Sequence, residues 1–150
     1  MSSLRHLSLF LLLSVSCITL HGQGKFSLNH FRGEIESIYP VRFASSSVPY
    51  GYYLELRNDS VFVDMPYMGE VFMPSLHSDG LTFAHHYKTD RIKTNKKKTR
   101  LYITFHTQHY NIVYLFRLTI YCDNTFYLTV VPSNAQACSY TGCWESPGDE

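Results

Sequence analysis

The chain contains no G-x-S-x-G, no C-x-x-C and no window in which apolar residues recur every 3.6 positions. The first absence removes the signature of a nucleophile elbow, the second that of a redox pair, and the third the pattern of an amphipathic helix. The acids offer no paired-carboxylate motif; Asp59, Asp79 and Asp123 fall at turn-like positions. No catalytic or cofactor signature is present, so the expectation is a protein without cofactor that is not an enzyme. The alternative from another class is a small periplasmic hydrolase whose site, assembled across strands, is invisible in sequence.

Long apolar runs are equally scarce. The longest, Leu7 to Val15, follows Arg5 and His6 and thins out towards Leu20. It is shorter than the ~20 apolar residues a spanning helix needs, so no transmembrane span is expected. A basic start, a short apolar stretch and then small or polar residues describe a secretory signal peptide. Residues 1–22 are read as that signal, with cleavage between Gly22 and Gln23, and residues 23–150 as one exported domain, periplasmic or extracellular. The rival is a lipoprotein anchored through Cys17. It is weakened by Ser14, where a lipobox carries Leu, and by the apolar Ile18-Thr19-Leu20 that follows.

Aromatic residues are abundant, with 12 Tyr and 10 Phe, and favour strands. Charge is lopsided. Seven of the chain's 13 Lys and Arg lie between Lys88 and Arg100, where Asp90 is the single acid.

Alternation with a period of two sets the expected pairing. Tyr52, Leu54 and Leu56 alternate with Tyr53, Glu55 and Arg57, and Val61, Val63 and Met65 follow. A two-residue turn at Asn58-Asp59 sets Leu56 opposite Val61 and Leu54 opposite Val63; Asn and Asp tolerate the positive φ of such turns. After a turn at Pro66 to Gly69, Val71 and Met73 are expected to return to the inner face. Asp79-Gly80 opens a strand with Leu81, Phe83, His85 and Tyr87 on one side. A meander then begins at Leu101. A four-residue loop, Thr107 to Tyr110, would pair Phe105 with Ile112 and Ile103 with Tyr114. A three-residue loop, Asp123 to Thr125, would pair Cys122 with Phe126 and Ile120 with Leu128, leaving Cys122 as a small core residue. The opposite face of the meander is also greasy, with Tyr102, Val113, Leu115, Tyr121, Tyr127 and Val131, so either a second layer or a partner should meet it. The expected fold is all-β and mostly antiparallel, a single-domain sandwich or partly open barrel of hairpins and a C-terminal meander.

The order of four segments resembles the family of the domain of unknown function numbered 4251, found mainly in secreted proteins of Bacteroidetes. Phe31 to Pro40 (FRGEIESIYP) is similar to its first strand. Asp59-Ser60-Val61 with Met65-Pro66-Tyr67-Met68-Gly69 is similar to its "DSV…LPYFG" stretch, Gly80 to Phe83 to its "GGIxF", and Ser133 to Gly142 to its closing "S-x-N-R-Q-x-I-S-Y-x-G". The resemblance spans about residues 31 to 144. Ala135 stands in place of the usual Arg, Glu70 where a basic residue is common, Thr125 in place of a turn Gly, and Cys138 in place of an aliphatic residue. The resemblance implies an envelope-located domain of mostly β-structure and carries no activity.

Three groups of residues remain as candidates for chemistry. His106 and His109, with His77, His85 and His86, have metal-like spacing, but zinc needs three or four converging ligands and permissive His spacing favours surface and rim histidines instead. Lys88, Arg91, Lys93, Lys96, Lys97, Lys98 and Arg100 form a basic stretch, read as a loop or hairpin tip. Charge runs are usually solvated, and a solvated tip is the plain reading; as a contact surface it suits an anionic envelope component, or another envelope protein, rather than nucleic acid, because no aromatic residues are interleaved and an exported protein seldom meets nucleic acid. Cys138 and Cys143 enclose four residues and are the candidate disulfide, provided their Cα atoms approach within about 7 Å.

Overall fold

A computed structural model describes residues 30–71 and 80–145 of the 150-residue chain. No helix occurs among them, and so none that is long and apolar enough to cross a membrane. The strands are β1 (His30–Pro40), β2 (Ser46–Ser47), β3 (Tyr53–Arg57), β4 (Ser60–Met65), β5 (Leu81–His86), β6 (Lys88–Thr94), β7 (Arg100–His109), β8 (Ile112–Tyr121), β9 (Thr125–Pro132) and β10 (Cys138–Glu145). They form one antiparallel sheet in the order β5-β4-β3-β1-β10-β9-β8-β7-β6, with β2 beside β1. The ends of that order, β5 and β6, are consecutive in the chain and separated by Tyr87 alone. One excursion therefore pairs its first half with β4 and its second half with β7. The sheet nearly closes into a barrel and leaves one seam. Of the two architectures expected, the partly open barrel is found and the sandwich is not.

Side chains bridge the seam where backbone pairing stops. Thr107 Oγ1 donates to the His86 carbonyl at 2.7 Å. The His109 ring stacks on Phe83 at 4.9 Å, and Tyr87 packs on Phe105 at 5.0 Å.

Inward-facing residues fill the barrel. Leu54, Leu56, Val61, Phe105, Phe116, Leu128, Val130 and Tyr140 are completely inaccessible, and each large apolar side chain so buried contributes about 1.5–3 kcal/mol. Phe105 and Phe116 stack with ring planes 1° apart, and Phe31 meets Phe126 edge-on. Two glycines make room where β1, β10 and β9 crowd together. A Cβ on Gly142 would collide with the Glu34 carbonyl oxygen, and one on Gly33 with the Phe126 ring. Both flank the bulge in the β1–β10 pairing between Ile35 and Ser37, as glycines do at barrel bends.

The first hairpin forms in the expected register, Leu56 opposite Val61 and Leu54 opposite Val63, with Asn58 at φ 56°. Both later loops are corrected. β7 runs on to His109, so the turn is Tyr110-Asn111 and the pairs are Phe105–Phe116 and Ile103–Leu118. Thr107, polar and read as loop, is instead buried because its hydroxyl finds the His86 carbonyl. The next loop is Cys122 to Asn124, pairing Ile120 with Phe126 and Leu118 with Leu128. Asn124 takes the left-handed position at φ 65°, which a three-residue loop reserves for Gly or Asn. Thr125 escapes that strain and donates from both its amide and its hydroxyl to Asp123. Cys122 thereby moves from the expected core into an exposed turn. Both slips are even in residue count, so the inner and outer faces are preserved.

Three further expectations change. Val71 is exposed and bridges Ala135 rather than entering the core, and Met73 lies outside the described residues. His85 shares a face with Val61 but reaches the barrel mouth and is exposed. The basic stretch is not simply a tip: Lys88, Arg91 and Lys93 belong to β6, and only Lys96, Lys97 and Lys98 occupy the turn.

Candidate functional site

Residues of the second and fourth family-like segments meet at one end of the barrel. Tyr140, on the inner face of β10, donates its hydroxyl to the Pro66 carbonyl at 2.8 Å, and Tyr67 donates to the Gln136 carbonyl. The Gln136 amide donates to the Glu70 carbonyl at 2.9 Å, and its side chain donates to the Glu70 carboxylate. Arg42 closes the set with an ion pair to Glu70 at 2.7 Å. The second and fourth segments are thus tied into a strap that caps the barrel. Burial pushes the Tyr67 phenol up to about 12 and raises Tyr140 further still, so both are held neutral as donors. Glu70, departing from the family pattern, has a partner of its own in Arg42. Ala135, in place of the usual Arg, is buried under this strap.

Cys138 sits in the same corner, 1% exposed, and burial raises its thiol pKa. It behaves as the small core residue its aliphatic counterparts would be. Cys143 faces outward near Glu36, whose hydrogen bond raises its pKa. Five residues along one strand separate the two cysteines by about 16 Å and put them on opposite faces. Both thiols are free, which corrects the expected disulfide. Neither carries the depressed pKa of a reactive thiolate.

The histidines separate into pairs. His85 Nε2 and His109 Nδ1 lie 2.7 Å apart at the seam, His86 contacts Asp59 at 3.2 Å, and His106 contacts Asp90 at 2.8 Å. Among the described residues no three metal-ligating groups converge; His77 lies outside them.

The basic stretch is exposed throughout except at Asn95. Asn95 organises the tip: its side-chain oxygen accepts from the Thr99 and Arg100 amides at 2.8 and 3.0 Å, and Lys98 adopts φ 53°. This builds a rigid hairpin that presents Lys96, Lys97 and Lys98 to solvent. Charge on β6 also has a structural use, since Lys and Arg on an edge strand discourage pairing with another sheet.

Register adds something that the linear sequence does not display. Residues directly opposite across an antiparallel ladder share a face. Lys93 on β6 therefore stands beside Tyr102 on β7, then Thr119 on β8 and Tyr127 on β9. The neighbouring row runs Arg91, Thr104, Arg117, Thr129. Tyr102 and Tyr127 are 39% and 40% exposed, and among the described residues no second layer covers the greasy outer face of the meander, because all ten strands lie in the one sheet. Aromatic interleaving, absent along the basic stretch, is present across the sheet.

These observations define a nearly closed antiparallel barrel with a side-chain-filled interior, a strapped end and a basic outer face. The chain belongs to the DUF4251 family, a domain of unknown function, whose profile matches residues 26–144. It is similar in fold to the crystal structure of a DUF4251 family protein from Bacteroides eggerthii DSM 20697, with a TM-score of 0.62 and 16% identity over 79% of this chain and 80% of that one. No curated protein matches.

Proposed function

We propose that the protein is exported and serves as a non-enzymatic binding module of the cell envelope, holding an anionic component through β6 and the β6–β7 hairpin. The observation that carries this reading is the concentration of seven of 13 basic residues in the segment 88–100, displayed on an edge strand and a rigid tip. Their attraction is screened and sequence-indifferent, with a reach of about 8 Å at physiological salt. The interior supports a module over an enzyme, since bulky apolar side chains occupy the space where a barrel enzyme would hold substrate.

Replacing Lys96, Lys97 and Lys98 by Gln should weaken binding to phosphatidylglycerol vesicles or lipopolysaccharide without changing the fold, and added salt should mimic the substitution. Wild-type protein with no salt-sensitive binding to any polyanion would refute the reading. Export has its own test: the intact mass of protein from its host envelope should correspond to a chain beginning at Gln23. Diacylglycerol on Cys17 would make it a lipoprotein, and retention of Met1 would overturn export.

A further inference from the structure

We infer that the outer face of β6–β9 is a binding surface for an extended acidic polysaccharide, with tyrosines as sugar platforms and arginines as acid-group contacts. This rests on the anionic-partner reading above and names its chemical class. Tyr102 and Tyr127 share a row on either side of Thr119, two strand spacings and so about 9.5 Å apart. Arg91 and Arg117 share the adjacent row on either side of Thr104 and have the same separation. Cations stand on β6 and β8, tyrosines on β7 and β9. A chain lying across the strands would meet a ring and a guanidinium in alternation. A polysaccharide whose repeat carries one acidic group presents that alternation: an apolar C–H face that packs on a phenol ring, then a carboxylate or sulfate for a fork of N–H donors.

The rest of the surface fits the same ligand. The tyrosine row continues through Thr141 to Ser37, and the arginine row through Ser139 to Tyr39. Hydroxyls of both donor and acceptor character thus line the face. Neither row contains an acid. Asp90, the nearby carboxylate, is hydrogen-bonded to His106 at 2.8 Å. A lipid headgroup would need only the charges, and the three tip lysines already supply those; it would give the ordered tyrosines nothing to do.

Titration calorimetry of the full exported chain with three probes separates the possibilities: chondroitin sulfate, which has an acidic disaccharide repeat, uncharged dextran, and phosphatidylglycerol vesicles. Chondroitin sulfate should bind and dextran should not. Tyr102→Ala with Tyr127→Ala should weaken chondroitin sulfate binding about tenfold, as loss of two aromatic contacts of modest individual strength implies, and leave vesicle binding within about twofold. The Tyr→Phe pair should keep most of the affinity. Arg91→Gln with Arg117→Gln should weaken chondroitin sulfate binding by a similar factor. Should the alanine pair disturb folding, Thr119→Glu places a like charge between the two rings from the solvent side and should abolish polysaccharide binding alone. Binding to vesicles but not to chondroitin sulfate would overturn this inference and leave the anionic-partner reading standing. Undiminished polysaccharide binding by the tyrosine pair or by Thr119→Glu would overturn it too. Binding to neither probe would overturn both.

Discussion

The strap across the barrel end makes a sharp demand on one atom, the Tyr140 hydroxyl. Tyr140→Phe keeps the ring, which is completely buried, so no cavity opens and the transfer term is unchanged. What is lost is the 2.8 Å bond to the Pro66 carbonyl, with the weaker contact to the Cys138 thiol. A typical hydrogen bond contributes about 0.5–1.5 kcal/mol net, and a carbonyl left dry raises the cost to about 1–3 kcal/mol. Pro66 is half-buried, so water reaches its carbonyl in part and a loss of about 1–2 kcal/mol is expected. For a domain of this size that lowers the melting temperature by roughly 4–10 °C. Urea titration followed by circular dichroism measures it, with an unchanged m-value showing that the native state remains compact. Tyr67→Phe removes the companion bond to Gln136, and because both hydroxyls fasten one strap the double variant should be less destabilised than the sum of the singles. A Tyr140→Phe protein as stable as wild type would show that this bond does not hold the strap. Strict additivity would show two independent contacts instead of one latch.

Two other outcomes follow from register and from burial of phenols. Ile120, 3% exposed, faces the core, whereas Thr119 faces solvent on the same strand; Ile120→Ala should cost about 2–5 kcal/mol and Thr119→Ala under about 0.5 kcal/mol, and equal costs in denaturant melts would refute the assigned faces. Burial raises the phenols of Tyr67, Tyr87, Tyr114 and Tyr140, Tyr67 to about 12. Their ordinary value is 10.0, so the unfolded chain releases these protons first: stability should be intact below pH 10 and decline between pH 10 and 12, with tyrosinate absorbance rising together with loss of the β-sheet signal and Tyr67→Phe reducing the slope. A domain whose stability is flat to pH 12 would contradict the buried hydroxyls.

The strands were legible because both faces of a period-two pattern are written in adjacent residues. Asn58-Asp59 specified its hairpin outright. The two later loops slipped because their clues were remote or ambiguous: Thr107 reads as a loop residue until His86, 21 residues earlier in sequence, supplies its acceptor, and Asn124 could have been chosen over Thr125 as the left-handed residue on turn chemistry alone. Arg91 to Thr94 read as a charged tip because every residue on β6 is exposed, leaving no alternation to detect. The outer face of the meander was readable from alternation, but not the rows that set tyrosines beside arginines on it. Their members lie on four strands, and only a correct register aligns them.

The family-like segments and the proposed binding face rest on different residues in this molecule. The second and fourth family-like segments converge through Tyr67, Gln136 and Tyr140 on the strap, and the first and fourth through Gly142, where a side chain would strike the Glu34 carbonyl. Substitutions there disturb buried bonds or close backbone approach, which is costly. All of β6, β7, β8 and β9 falls between the third segment, ending at Phe83, and the fourth, beginning at Ser133. The outward positions of that meander can change for about 0.5 kcal/mol or less, since Tyr102, Thr119 and Tyr127 stand on its outer face. The fold is shared with the Bacteroides eggerthii protein at 16% identity. The scaffold is constrained where its ends are tied, and the outward positions of the meander are the ones left free to vary.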